Sequence, residues 1–161
     1  VTERDLPLPQ PTSAPSKVGA EVAALEVWRR TGLPVMVARP FTHTGPGQLA
    51  AYLVPSLIQR MLAARSSGAR AVRVGNLEPV RDFSDVRDVV AAYAQLIERG
   101  AAGETYNVAR GEGIGLRALF DKIAAIVGVS VVPESDPALL RRADVPRLVG
   151  DSTKLRRATG W

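Results

Sequence analysis

The sequence predicts an α/β protein. Three observations carry that prediction: short apolar runs bounded by Gly and Pro, longer stretches with apolar residues at helical spacing, and the alternation of the two along the chain. Its 161 residues suffice for one domain, or two small ones, with a sizeable core.

The first sixteen residues are proline-rich and lack periodicity, which reads as an irregular loop. From Ala14 to about Thr31, Val18, Val22, Leu25 and Trp28 recur at helical spacing, and Gly32 ends the run. Pro34 to Arg39 is a short apolar run between breakers, as expected of a buried strand. Ala51 to Ser66 repeats Leu53, Leu57, Met61 and Val54, Ile58, Leu62, an amphipathic helix with Pro55 tolerated in its first turns. Val72 and Val74 flank Arg73 in a second short strand. Ser84-Asp85 then opens a strong helix with Val86, Val89, Val90, Tyr93, Leu96 and Ile97 on one face. Ser84 is the expected cap and Gly100 the end. Thr105 to Ala109 reads as a strand, and Leu116 to Val127 as a helix stopped by Gly128. Val129 to Val132 is β-like. The tail reads as irregular, with a last short helix at Thr153 to Thr159.

Composition excludes several classes. With 46% hydrophobic and 23% charged residues the chain is that of a globular protein, not a disordered one. No apolar stretch nears the roughly 18 residues of a membrane span, so no membrane partner is expected. The absence of cysteine removes disulfides, thiolate catalysis and thiolate metal sites, and is compatible with a reducing cytosol, so a cytoplasmic location is expected. A single histidine makes a histidine-centred metal site unexpected. The formal charge is +5, but the arginines are scattered among acidic residues. No basic stripe with interleaved aromatics appears, so nucleic acid is not an expected partner.

Four segments carry chemistry. Gly111-Glu112-Gly113-Ile114-Gly115 lies between a strand and a helix, but its G-x-G-x-G spacing is not the dinucleotide fingerprint G-x-G-x-x-G. It reads as a glycine-softened turn. Arg39-Pro40-Phe41-Thr42-His43-Thr44-Gly45-Pro46-Gly47-Gln48 is a polar, bent loop after a strand, where α/β proteins place ligands. His43 there is an acid/base, a ligand contact or a packed loop residue. Arg81 precedes the capped helix, where Asp85 and Asp88 can pair with Arg81 or Arg87. Alternatively, Arg81 reaches a diphosphate. Arg141 and Asp144 offer the same choice: an ion pair, or an arginine for phosphate beside a carboxylate for ribose hydroxyls.

Read together, RPFTHTGPGQ, VRVGNLEPVRDFSDVRDVVAAY, TYNVARGEG and LLRRADVPRLVGDSTKLRRATGW resemble the carboxyl half of the extended short-chain dehydrogenases, the NAD-dependent epimerase/dehydratase family. Within it the chain is most similar to the GDP-4-keto-6-deoxy-mannose reductases, then to the GDP-mannose 4,6-dehydratases. The resemblance implies the carboxyl-terminal part of a Rossmann-type fold with the smaller substrate-binding domain. Residues 1–40 would be the last Rossmann elements, and residues 41–161 mostly a nucleotide-sugar-binding region with some returning Rossmann elements. It implies an NADP- or NAD-dependent reductase or dehydratase acting on a nucleotide sugar, GDP-linked for preference. The cofactor would be bound mainly by an amino half that this sequence does not contain.

The resemblance also implies site residues. Ser13-Ala14-Pro15-Ser16-Lys17 aligns with the catalytic Tyr-x-x-x-Lys, placing Lys17 on the lysine that holds the nicotinamide ribose and Ser13 at the tyrosine. Pro40, His43 and Gln48 would contact cofactor, Gln48 standing where the dehydratases carry arginine. Thr42, the asparagine position of R-P-F-N-H, would face substrate with Arg81, Arg141 and Asp144. A phenol titrates near pH 10 and can be drawn toward neutrality by a nearby lysine. An aliphatic hydroxyl is shorter and far less acidic, which makes Ser13 a poor proton donor and a natural cap for a helix starting at Ala14. These departures allow a non-catalytic relative that binds a nucleotide sugar without reducing it. Family members often pair through helices of the Rossmann half, which would put the Ala14–Thr31 helix at a homodimer interface. Without central strands to cover, the helix faces are expected to fold poorly alone.

Overall fold

Apolar periodicity and glycine set the element boundaries. A computed structural model describes residues 1–5, 14–140 and 144–161. In chain order the elements are α1 (Ala14–Thr31), β1 (Val37–Pro40), β2 (Thr42–Thr44), α2 (Leu53–Ser67), β3 (Ala71–Val74), β4 (Val80–Asp85) and α3 (Val86–Arg99). There follow β5 (Thr105–Val108), β6 (Gly113–Gly115), α4 (Leu116–Val127), β7 (Val132–Ser135), a 3-10 turn at Pro137–Leu139, β8 (Arg147–Leu148) and α5 (Thr153–Thr159). The chain belongs to the α/β class that its alternation predicts.

Two compact units share this chain. The first is Val1–His43, Asp82–Glu112 and Val149–Trp161, and the second is Thr44–Arg81 and Gly113–Leu148.

In the first unit β1 and β5 run parallel, with Val37 opposite Thr105 and Pro40 opposite Val108. Strand side chains alternate between faces. Ala38 accordingly joins the core of Val89, Ala92, Leu96, Tyr106, Val108 and Leu155 on the α3 side. Arg39 instead makes a two-pronged pair with Glu21 of α1 (3.0 and 2.6 Å). Helices therefore lie on both faces of the strand pair, the doubly wound arrangement. The outer edge of β5 is closed by side chains: Asn107 N–H donates to Glu3 Oε1 (2.9 Å) and Lys154 Nζ to Thr105 O (2.6 Å). The opposite edge of β1 has no strand neighbour among the described residues.

In the second unit α2 and α4 pack over the parallel pair β3–β7. Their core is Leu57, Met61, Ala64, Val72, Val74, Phe120, Ile123 and Ala124. Gly68 and Gly128 end the two helices in the left-handed conformation (φ 72° and 74°), a backbone that side-chain-bearing residues adopt with strain. The start of β4 pairs in parallel with β8, Val80 opposite Arg147 and Arg81 opposite Leu148.

Several expectations need correction. The strand expected at Pro34 to Arg39 starts at Val37 and is half-buried, not buried, because among the described residues it has a strand neighbour on one side only. The polar loop after it contains the short strand β2. Ser84 does not cap α3: β4 runs through it, its side chain is buried, and Asp85 is the cap, accepting from Arg87 N–H at 2.8 Å. The apolar face of α3 divides, Val89, Ala92 and Leu96 facing the core while Val90 and Ile97 are 59% and 77% exposed. The β-like segment expected at Val129 to Val132 forms instead at Val132–Ser135.

Candidate functional site

Arg81 stands in the second unit on β4, its backbone held by the pairing with β8. Its Nη1 donates to the carbonyls of Val80 (2.8 Å) and Val145 (2.7 Å), and its Nη2 forms an ion pair with Asp144. The two side chains are 14% and 22% exposed, so the pair is only partly screened by water. Of the other pairings the sequence allowed, Asp85 forms the one with Arg87, at 2.6 Å. The Arg87 side chain and backbone N–H hold the Asp85 carboxyl down at about 2, against an ordinary 3.8.

In the loop after β1, His43 Nδ1 lies 3.0 Å from Phe41 O. A carbonyl only accepts, so that nitrogen carries a proton. Thr44 Oγ1 donates to Gln48 Oε1 at 2.7 Å, bracing the Gly45–Gly47 bend. Thr42 is half-buried, and Pro40 and Lys17 are exposed, Lys17 on the first turn of α1. Ser13, with the capping role expected of it, and Arg141 lie outside the described residues. Of the expected site residues, then, the structure joins Arg81 to Asp144 and assigns Gln48 a partner within its own loop.

A third group was missed by sequence reasoning. Asp82 is fully buried in the first unit and accepts three backbone N–H bonds: from Arg110 (3.0 Å), Gly111 (2.9 Å) and Gly150 (3.2 Å). Gly150 can have no side chain, since a Cβ there would meet Ala109 Cβ at 2.4 Å and the Phe41 ring at 2.7 Å. These turns shape a cleft of about 430 Å³ lined by Arg110, Glu112, Asp151 and Arg156, among others. Its arginines are held from within: Arg110 pairs with Glu112 at 2.9 Å, and Arg156 Nη2 donates to the Arg110 carbonyl at 2.8 Å. Ser84 Oγ, on the same strand face as Asp82, is buried with no partner among the described residues. The period-two spacing of Asp82 and Ser84 was the available signal, hidden by reading the segment as a helix start. Among the described residues no three His, Asp or Glu gather as a metal site, and no helix is long and apolar enough to cross a membrane.

The GDP-mannose 4,6 dehydratase family matches residues 2–161, all but one residue of the chain. The chain belongs to that family. The GDP-6-deoxy-D-mannose reductase of Pseudomonas aeruginosa is 39% identical over all of this chain and 53% of its own length. The structure of RMD from Pseudomonas aeruginosa, complexed with NADPH, superposes with a TM-score of 0.85 at 36% identity, covering 100% of this chain and 56% of that one. A UDP-glucose 4-epimerase from Thermotoga maritima, solved with UDP-glucose, gives a TM-score of 0.89 at 29% identity, with 100% and 51% covered. The chain thus spans about half the length of these relatives and corresponds to the carboxyl-terminal portion of a Rossmann-type fold.

Proposed function

We propose that this chain supplies the nucleotide-sugar grip, and part of the cofactor site, of an NADP- or NAD-dependent reductase acting on a GDP-linked 4-keto-6-deoxy sugar. The observation that carries this is Arg81. Its guanidinium is oriented by two carbonyls and a carboxylate, with one N–H on Nε and one on Nη2 left over among its described contacts. Two such donors match two oxygens of a diphosphate. The 39% identity to GDP-6-deoxy-D-mannose reductase across the whole chain supports the choice of base and sugar.

The residues toward the nicotinamide cofactor suit it. Lys17 offers an exposed ammonium at the start of α1, and Pro40 is exposed at the carboxyl end of parallel strand β1, where ligands of doubly wound sheets sit. His43 and Gln48 follow in the next loop. When bound, the cofactor supplies hydride to the sugar carbonyl. In this reading Lys17 holds the nicotinamide ribose, the 40–48 loop closes over the cofactor, Thr42 faces the sugar, and Arg141 joins Arg81 on the nucleotide. Residues 1–40 serve as the last Rossmann elements, and the open edge of β1 is where a strand of the amino half adds.

Ser13 supplies no phenol, so proton delivery to the developing alkoxide is the weak step. In the intact protein, GDP-4-keto-6-deoxy-mannose is expected to drive little NADPH oxidation, and Ser13→Tyr to raise that rate by about a hundredfold or more. Full activity with Ser13 in place overturns its assigned defect. No turnover with either residue and no sugar binding overturns the substrate assignment.

A further inference from the structure

We infer that Asp144 is a positioning residue for Arg81, acting on the diphosphate through that guanidinium rather than by gripping the ribose itself. The inference rests on the nucleotide-sugar reading above. An arginine carries five N–H donors in a rigid plane. Here both Nη1 hydrogens are taken by the Val80 and Val145 carbonyls, and one Nη2 hydrogen by Asp144 Oδ1. Three contacts from two separate stretches of chain fix that plane. Val80 is on β4, whereas Val145 and Asp144 lie just before β8. The carboxylate supplies the charged anchor among them. It spends its Oδ1 on Arg81, and both side chains are largely withdrawn from water.

Charge alone predicts the opposite of positioning. An anionic carboxylate beside an arginine repels an incoming diphosphate, so neutralising Asp144 should tighten binding if orientation did not matter. If Asp144 holds the fork in its receptive pose, neutralising it releases the side chain to other rotamers, and binding weakens by the ordering cost. The sign of one substitution therefore separates the two effects.

The test titrates the intact protein with GDP and with guanosine, using Asp144→Asn, Arg81→Ala and the double variant. Asp144→Glu serves as the conservative control. Positioning predicts that Asp144→Asn weakens GDP by about tenfold and leaves guanosine within about twofold. It predicts no further loss in the Arg81→Ala background, and partial recovery with Asp144→Glu. Tighter GDP binding by Asp144→Asn overturns the inference, as does an equal loss for guanosine, which would mark a ribose contact. Losses that multiply in the double variant overturn it too, because they make the two side chains independent. If the unaltered protein binds neither probe, the nucleotide reading fails, a result separate from any of these.

Discussion

Asp85 shows how one carboxylate can be tied to the stability of an element. Its carboxyl is held at about 2 by the Arg87 side chain first and the Arg87 backbone N–H second. The folded value lies below the ordinary 3.8. The stabilisation is therefore complete above about pH 4 and is lost as pH falls from there toward 2. Protection of the Arg87 amide, relative to its intrinsic exchange rate at each pH, is expected to fall across that window, and Asp85→Asn, which keeps a capping oxygen, to remove most of the pH dependence of that protection. A protection factor at Arg87 that stays constant from pH 5 to about pH 2 contradicts the capping role. Composition and helical spacing pointed to this helix start but chose Ser84, one residue early. Ser84 and Asp85 are equally good caps by residue type, and only the hydrogen-bonding of β4 decides between them. Arg81 and Asp144 were both legible as charged residues suited to a nucleotide. Their pairing was not, because it joins positions 63 apart in sequence.

At the scale of elements, legibility followed periodicity. Leu116–Val127 and Thr153–Thr159 form over the expected spans, since glycine and apolar spacing agree there. Short strands failed where polar residues hid them, as β2 and β4 show. A strand braced by Asp82 beneath backbone N–H groups needs no apolar alternation. In the second unit Phe120 is fully buried between α2, β3 and α4. Phe120→Ala should cost about 3–5 kcal/mol, lowering the midpoint of thermal unfolding and removing exchange protection from α2 and β3 amides. A shift of a degree or less would mean that this cluster is not the unit's core.

Over the whole molecule the two edges of the β1–β5 pair differ. Glu3 and Lys154 satisfy the outer edge of β5, so the sheet ends there. Odd-numbered residues of β1 face β5, since Val37 and Phe41 donate to Glu104 and Val108. Ala38 therefore presents its N–H away from β5. Two-stranded parallel pairs are rarely complete sheets. If a strand adds to β1, as proposed above, the Ala38 amide exchanges slowly in a protein that carries that strand and quickly in the 161 residues alone. Equal rates in the two would mean that no strand adds to β1.

The most direct test of a GDP-sugar site centred on Arg81 is calorimetric titration of the intact protein with GDP-mannose, beside Arg81→Ala. Saturable binding that weakens at least about tenfold in the variant is expected, from losing a charge-assisted contact to the diphosphate. Equal affinity in the two proteins, or tighter binding of UDP-glucose than of the guanosine-linked sugar, would contradict it.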